Sequence, residues 1–294
     1  MTVAYLMFRV SDYLEDNTVM DRDRKVRLLN LWDSVLAEQE PEERLAAELR
    51  KNNDGDPEAE VARRFRVVIR ALEGLGEEHN RIVRLRVRQT TQGMARRQLL
   101  GPVIRTEAEL DEYMHHVAGV VGYLICDIFS MFHDRLARRR DRLLGLAHEY
   151  GLGLQTVNVI RGIRRDFSRG WSYVPLQYLE DVGLDPRGLL SPHHIERSLG
   201  VVRRLADKAE RHLRSGLGYV LEIPRTFHRL RLATMWPLLF AARTLAVSRE
   251  NPEVILSEAK MSREDVETIV RKTTLMGWSN RWLTDFHEQL LRGK

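Results

Sequence analysis

Asp12, Glu15 and Asp16 stand at i, i+3 and i+4 in the segment Tyr5-Leu6-Met7-Phe8-Arg9-Val10-Ser11-Asp12-Tyr13-Leu14-Glu15-Asp16. On a helix this spacing puts all three carboxylates on one face, with Arg9 one turn earlier. Acids crowded in this way repel one another unless a cation joins them. Magnesium takes oxygen ligands from one or two carboxylates and completes its shell with substrate phosphates. A solvated acidic turn gives the same pattern, because D-x-x-E-D is common on helix surfaces. The apolar run at residues 5–8 points instead to a buried helix that delivers its acids to an interior cavity.

A second segment runs from Gly151 to Asp166 and places Gln155, Asn158, Gly162 and Asp166 at spacings of three, four and four, a single helical stripe. Amides in so apolar a helix need partners, since burying them unpaired costs a few kcal/mol each. A bound ligand satisfies that demand, and so does hydrogen bonding within a core.

Composition bounds the class of protein that carries these residues. With 43% apolar and 30% charged residues, the 294-residue chain has enough apolar side chain for a sizeable core and is no disordered tract. Its net charge of +5 favours anionic partners mildly, and arginine dominates, as in Arg138-Arg139-Arg140 and the spaced series Arg81, Arg84, Arg86, Arg88, which reads as a solvated face. No aromatic residues interleave with the basic ones and no zinc-finger or RNP pattern is present, so nucleic acid is not an expected partner. The single Cys126, in the apolar run 120–129, excludes disulfides within the chain and Cys-based metal sites and reads as a core thiol in a reducing compartment. No stretch reaches the ~18 uncharged residues of a membrane span, and residues 1–10 lack the apolar core of a secretory signal. The chain reads as cytoplasmic, or peripheral on a membrane.

The elements that must position these side chains are helices. Apolar residues recur at three- and four-residue spacings, as in Val26, Leu29, Leu31, Val35 and Leu36 and again in Val202, Leu205, Ala209, Leu213 and Leu217. Breakers at 52–57, 74–76, 101–102, 183–192 and 251–252 fall at helical intervals, which predicts about ten helices in one all-α domain covering residues 1–294. Thr106 and Ser262 precede first turns that carry acids.

With these residues in place the chain resembles the squalene/phytoene synthases. The segment from Tyr5 to Asp16 looks like their first aspartate-rich motif, in the D-x-L-E-D form of the squalene branch. Gln155 to Pro175 resembles the second motif and its tail. Tyr113-Met114-His115-His116-Val117-Ala118-Gly119-Val120-Val121-Gly122 is similar to the Y-x-x-x-V-A-G-x-V-G helix, and Gln92-Gly93-Met94-Ala95 to the G-M-A segment. Residues 231–245 with Lys260-Met261-Ser262-Arg263 resemble the C-terminal third.

The resemblance implies an all-α, single-domain isoprenoid synthase fold with a central cavity and the two acidic motifs across its mouth. It implies Mg2+ as cofactor and leaves NADPH open, since the family binds NADPH without a Rossmann fingerprint. Carried over residue by residue, Asp12, Glu15, Asp16 and Asp166 are metal ligands. Tyr5, Arg9, Gln155, Asn158 and Arg161 surround the diphosphates, and Asp12, Asp16, Asp166, Tyr5 and His116 form the catalytic set.

The expected reaction is head-to-head condensation of two farnesyl diphosphates to squalene or its cyclopropyl diphosphate precursor. Phytoene-type condensation, cyclisation of a single prenyl diphosphate, and a non-catalytic homologue or subunit of a two-protein synthase are the alternatives. Several positions depart from the family. Gly162 stands where the second motif opens with aspartate, Arg165 where it usually has glutamate, Trp171 where arginine is common, and His116 where squalene synthases commonly have a catalytic tyrosine. The family's preceding helix, with its Ser/Arg diphosphate-binding segment, does not precede the first motif. A start codon assigned too late accounts for this, and so does a partner subunit that supplies the helix.

Overall fold

In the computed structural model, which describes residues 1–51, 57–257 and 259–293, all regular structure is helical apart from an isolated bridge between Val103 and Ser172. The chain forms two compact units, Met1–Pro102 and Val103–Lys294.

The first unit contains α1 (Thr2–Asp16), α2 (Arg22–Leu36), α3 (Glu42–Arg50), α4 (Pro57–Arg63), α5 (Phe65–Glu73) and α6 (Glu77–Leu100). Its core is built on Trp32, fully buried, with the edge of its ring on Phe65 at a centroid distance of 5.7 Å. The Trp32 indole N–H donates to Ser11 Oγ at 3.1 Å, and Ser11 Oγ meets Thr91 Oγ1 at 2.8 Å, so one buried polar chain ties α1, α2 and α6 together. Asp21 caps α2 by accepting from the Arg24 backbone N–H at 2.8 Å.

The second unit contains α7 (Glu107–Met114), a π-helical turn (His115–Gly119), α8 (Val120–Phe132), α9 (Asp134–Ala137), α10 (Arg140–Ser168) and α11 (Leu176–Glu180). It continues through α12 (Ile195–Glu222), α13 (His228–Ser248), α14 (Glu253–Leu256), α15 (Arg263–Met276) and α16 (Asn280–Leu291). α10 packs along α12 and against α8, the π turn and α13. Thr106 caps α7 and Ser262 caps α15, the latter in a reciprocal box with Asp265, as their spacing predicts. Cys126 is a buried thiol outside any disulfide, as expected of a core position.

Three expectations need correction. Sixteen α-helical segments lie among the described residues rather than about ten, because α3, α4, α5, α7, α9, α11 and α14 are short pieces whose breaks leave no mark on a 3.6-residue period. Arg84 is not on a solvated face: it is buried and donates to the Leu36 carbonyl at 3.2 Å and to Asn80 Oδ1 at 2.7 Å. Two helical stretches, Glu107–Phe132 and His228–Ser248, are long and apolar enough to cross a membrane by length and composition. An uninterrupted run of uncharged residues is too strict a test, since such windows tolerate one or two charges. Of the predicted breakers, residues 52–56 lie outside the described residues.

Candidate active site

The first acidic motif occupies the last turn of α1. That helix buries Ala4, Met7, Phe8, Val10, Tyr13 and Leu14 and ends at Asn17, whose Oδ1 accepts from the backbone N–H groups of Val19 and Met20, both at 2.9 Å. Tyr5, expected in the buried run, is 62% exposed. Carboxylates in a final turn face the negative end of the helix dipole, and no basic residue stands in that turn to offset them.

Each acid meets this problem differently. Asp12, half-buried, accepts from Arg9 Nη1 at 3.0 Å. Asp16 is exposed. Glu15 is 7% exposed, and its Oε1 has no hydrogen-bond partner. Burial above all, then the neighbouring Asp16 and Asp12, push its carboxyl up to about 8, with Lys25 and Arg97 acting in the opposite sense. Lys25, itself buried, donates to the Glu15 backbone carbonyl at 2.6 Å.

The second motif lies on α10. Asn158 Nδ2 donates to Gln155 Oε1 at 3.4 Å, which confirms the stripe but not its burial: Asn158 is exposed and Gln155 half-buried, so neither amide carries a buried unpaired group. Arg161 is exposed. The Asp166 carboxylate folds back over Gly162, so that a Cβ at 162 would lie 2.5 Å from Asp166 Oδ2. Arg165 Nε stands 3.7 Å from Asp166 Oδ1.

His116 sits in the π turn, a local rearrangement that recurs at functional sites. Its ring meets the His115 ring edge-on at 5.0 Å. His115 Nδ1 shares a hydrogen bond with His148 Nε2 at 3.0 Å, and His148 stacks on Tyr123. Trp171 stacks on Tyr173, and Tyr173 on Tyr113 at 4.7 Å, so the tail of the second motif meets the start of the Y-x-x-x-V-A-G helix. Reading the sequence alone overlooked this ladder, although aromatic residues within two matching motifs are its signal.

Among the described residues no three His, Cys, Asp or Glu side chains are drawn together as a metal cluster by themselves. Magnesium asks for fewer, because diphosphate oxygens and water fill most of its shell. The buried, partnerless Glu15 Oε1, beside two other acids in a last turn with no basic residue of its own, fits such a ligand.

The sequence profile of squalene/phytoene synthases matches residues 1–265. The chain belongs to the squalene/phytoene synthase family. Human squalene synthase is 26% identical over 285 residues, a match covering 93% of this chain and 63% of that protein. The chain thus spans less than two thirds of the squalene synthase it matches. The 15-cis-phytoene synthase of Pantoea ananas is 27% identical over 180 residues, covering 60% of this chain and 54% of that one. Among solved structures, the TcSQS complex with a ligand superposes with a TM-score of 0.79 at 22% identity, covering 98% of this chain and 82% of that one. At that identity the likeness establishes the fold, which is the all-α fold of squalene synthases.

Proposed function

We propose that this family member is a head-to-head prenyltransferase that condenses two molecules of farnesyl diphosphate, with Asp12, Glu15, Asp16 and Asp166 holding Mg2+ against the diphosphates. The observation that carries the reading is Glu15, a buried carboxyl with one oxygen left without a hydrogen-bond partner beside two other acids, in a last turn that has no basic residue of its own. A side chain so placed is stabilised by a cation that arrives with its substrate. Bound magnesium supplies the positive charge that assists diphosphate departure.

The chain's own residues have separable tasks. Arg9 holds Asp12 by a 3.0 Å ion pair and so fixes the carboxylate on the motif face. Gln155 and Asn158 orient one another, presenting amide groups in line with Arg161 and Asp166 on α10. Tyr5 and Arg161, both exposed, are assigned to diphosphate contacts, and His116 to proton transfer at its ring nitrogens.

A second reading is favoured by Gly162. Where the family motif has aspartate, the space is taken by the Asp166 carboxylate, so α10 offers one acid at this point. A site with fewer ligands suits phytoene-type condensation or ionisation of a single diphosphate. Incubation with Mg2+ and farnesyl or geranylgeranyl diphosphate, with and without NADPH, followed by extraction of lipids, tests both. Squalene or its cyclopropyl diphosphate precursor supports the first reading, and phytoene or a cyclic terpene the second. Magnesium-dependent diphosphate binding without turnover identifies a non-catalytic homologue.

A further inference from the structure

One end of the second unit gathers three chain reversals: residues 132–142, 222–229 and 271–281. The His133 ring stacks on Phe227 at 4.0 Å, and Arg139 and Arg142 both pair with Glu222, at 3.0 and 2.8 Å. His228 Nε2 lies 3.2 Å from the Thr274 carbonyl. The fully buried Arg231 donates to the carbonyls of Val220, Ile223 and Gly277 and to Asn280 Oδ1, pinning the backbone of two reversals to one guanidinium. These bonds make the end one rigid surface.

That surface combines two properties. Its three segments hold ten Lys or Arg against three Asp or Glu, an excess of seven, whereas the whole chain carries +5. The rest of the protein is therefore slightly acidic, and the cationic character is local. Arg135, Arg138, Arg225, Arg229, Arg271 and Arg281 are exposed there.

Among these cations stand Phe132, Leu275, Met276 and Trp278, which are 64%, 67%, 41% and 52% exposed. Water-facing apolar side chains of this size, grouped on one rigid end, are out of place on a surface that meets only solvent. The Trp278 indole N–H donates to the Leu275 carbonyl at 3.1 Å, so its polar atom is already satisfied and the ring projects as an apolar plate.

We propose that this end of the second unit docks on the surface of a membrane rich in anionic lipid. The arginines would lie at the phosphate level and Phe132, Leu275, Met276 and Trp278 would enter the boundary below it. Arginine suits lipid phosphates, and basic residues combined with a few large apolar side chains are the pattern of interfacial binding. Leu275 and Met276 favour lipid over single-stranded nucleic acid, which is held by stacking on aromatic rings, of which this end exposes Trp278 and Phe132 but, among the described residues, no series along a groove. The inference uses nothing of the diphosphate chemistry, so its test succeeds or fails independently of the proposed reaction.

Flotation of the full chain with vesicles of phosphatidylcholine containing about one-third phosphatidylglycerol, against pure phosphatidylcholine vesicles, tests the proposal. Binding is expected to the anionic vesicles only, to weaken as salt rises, and to fall roughly a hundredfold in the triple variant R225Q/R229Q/R281Q. L275S/W278S is expected to bind at least about tenfold less while keeping the parent's melting temperature, since both positions are exposed. L99S/L100S, which alters exposed apolar residues of the first unit, is expected to bind as the parent does. Equal binding to neutral vesicles, or full binding by either tip variant, would overturn the proposal. Loss in the arginine variant alone, together with displacement by single-stranded DNA, would replace the lipid with a nucleic acid.

Discussion

Glu15 shows how a single residue joins site chemistry to stability. Its folded carboxyl titrates near 8 against an ordinary 4.5. Between those values the native protein holds a proton that the unfolded chain has released, so stability falls as pH rises through this window and the loss is complete above it. In metal-free buffer, Glu15→Gln should therefore raise the melting temperature more at pH 8 than at pH 5, and thermal scans at the two pH values check this. Magnesium needs the ionised form, so its stabilisation of the parent should grow with pH up to about 8 and be weak in the variant. Gly162 carries a second prediction. A Cβ there meets the far end of the flexible Asp166 side chain, not backbone, so Gly162→Asp should fold normally and turn Asp166 away from its present position. Magnesium affinity measured by calorimetry should rise if the two acids then act together, and no rise would show that the space itself serves substrate. The i, i+3, i+4 acids and the Gly162–Asp166 stripe were legible because they are local. The burial of Glu15 between Lys25 and Arg97 was not, because those cations arrive from α2 and α6 and nothing in the spacing near residue 15 announces them.

At the scale of elements, α10 is the scaffold, and its neighbours approach it through positions without side chains. A Cβ on Gly122 would run into the Ala147 carbonyl, and one on Gly151 would lie 2.5 Å from the Ala118 carbonyl oxygen, so α10 meets α8 and the π turn at backbone contact. Gly145, on the same helix, has nothing within 4 Å of where its Cβ would be. Gly122→Ala should therefore destabilise by about 1–3 kcal/mol through backbone displacement. Gly145→Ala should stabilise by about 0.5–1 kcal/mol, because it relieves only the helix cost of glycine. Urea unfolding of the two variants distinguishes the roles. In the sequence these glycines look alike. Helix identity was readable from apolar periodicity and from the caps at Thr106 and Ser262, but which glycine touches a neighbour depends on packing. The π turn was likewise invisible, since residues 115–119 keep ordinary helix formers on both sides and its one extra residue per turn follows from how α7 and α8 seat on α10.

For the whole molecule, the pH dependence of folding brings the two units into one test. His287 is fully buried in α16, neither ring nitrogen has a hydrogen-bond partner, and burial above all lowers its titration from 6.5 to about 4, with Glu288, Arg214 and Glu210 as the charged groups acting on it. The unfolded chain takes up a proton below 6.5 that the native protein refuses until about 4, so stability is lost as pH falls through that window, by about 2 kcal/mol at pH 5. His287→Leu breaks no hydrogen bond, and it should remove this acid-side loss while leaving the melting temperature at pH 8 nearly level. Glu15 acts on the opposite side and its window overlaps that of His287, so the parent should be most stable on a shallow maximum near pH 5.5, where each group costs about 1.4 kcal/mol. Glu15 lies in Met1–Pro102 and His287 in Val103–Lys294. If residues 1–294 fold as the single domain expected from the unbroken run of helices, one calorimetric transition should answer to both substitutions, and Glu15→Gln combined with His287→Leu should flatten its pH profile on both sides. Two transitions, each moved by only one of the substitutions, would show instead that the units unfold separately. In that case the acids of α1 and Asp166 of α10 would belong to independently stable bodies, and each unit would have its own pH profile.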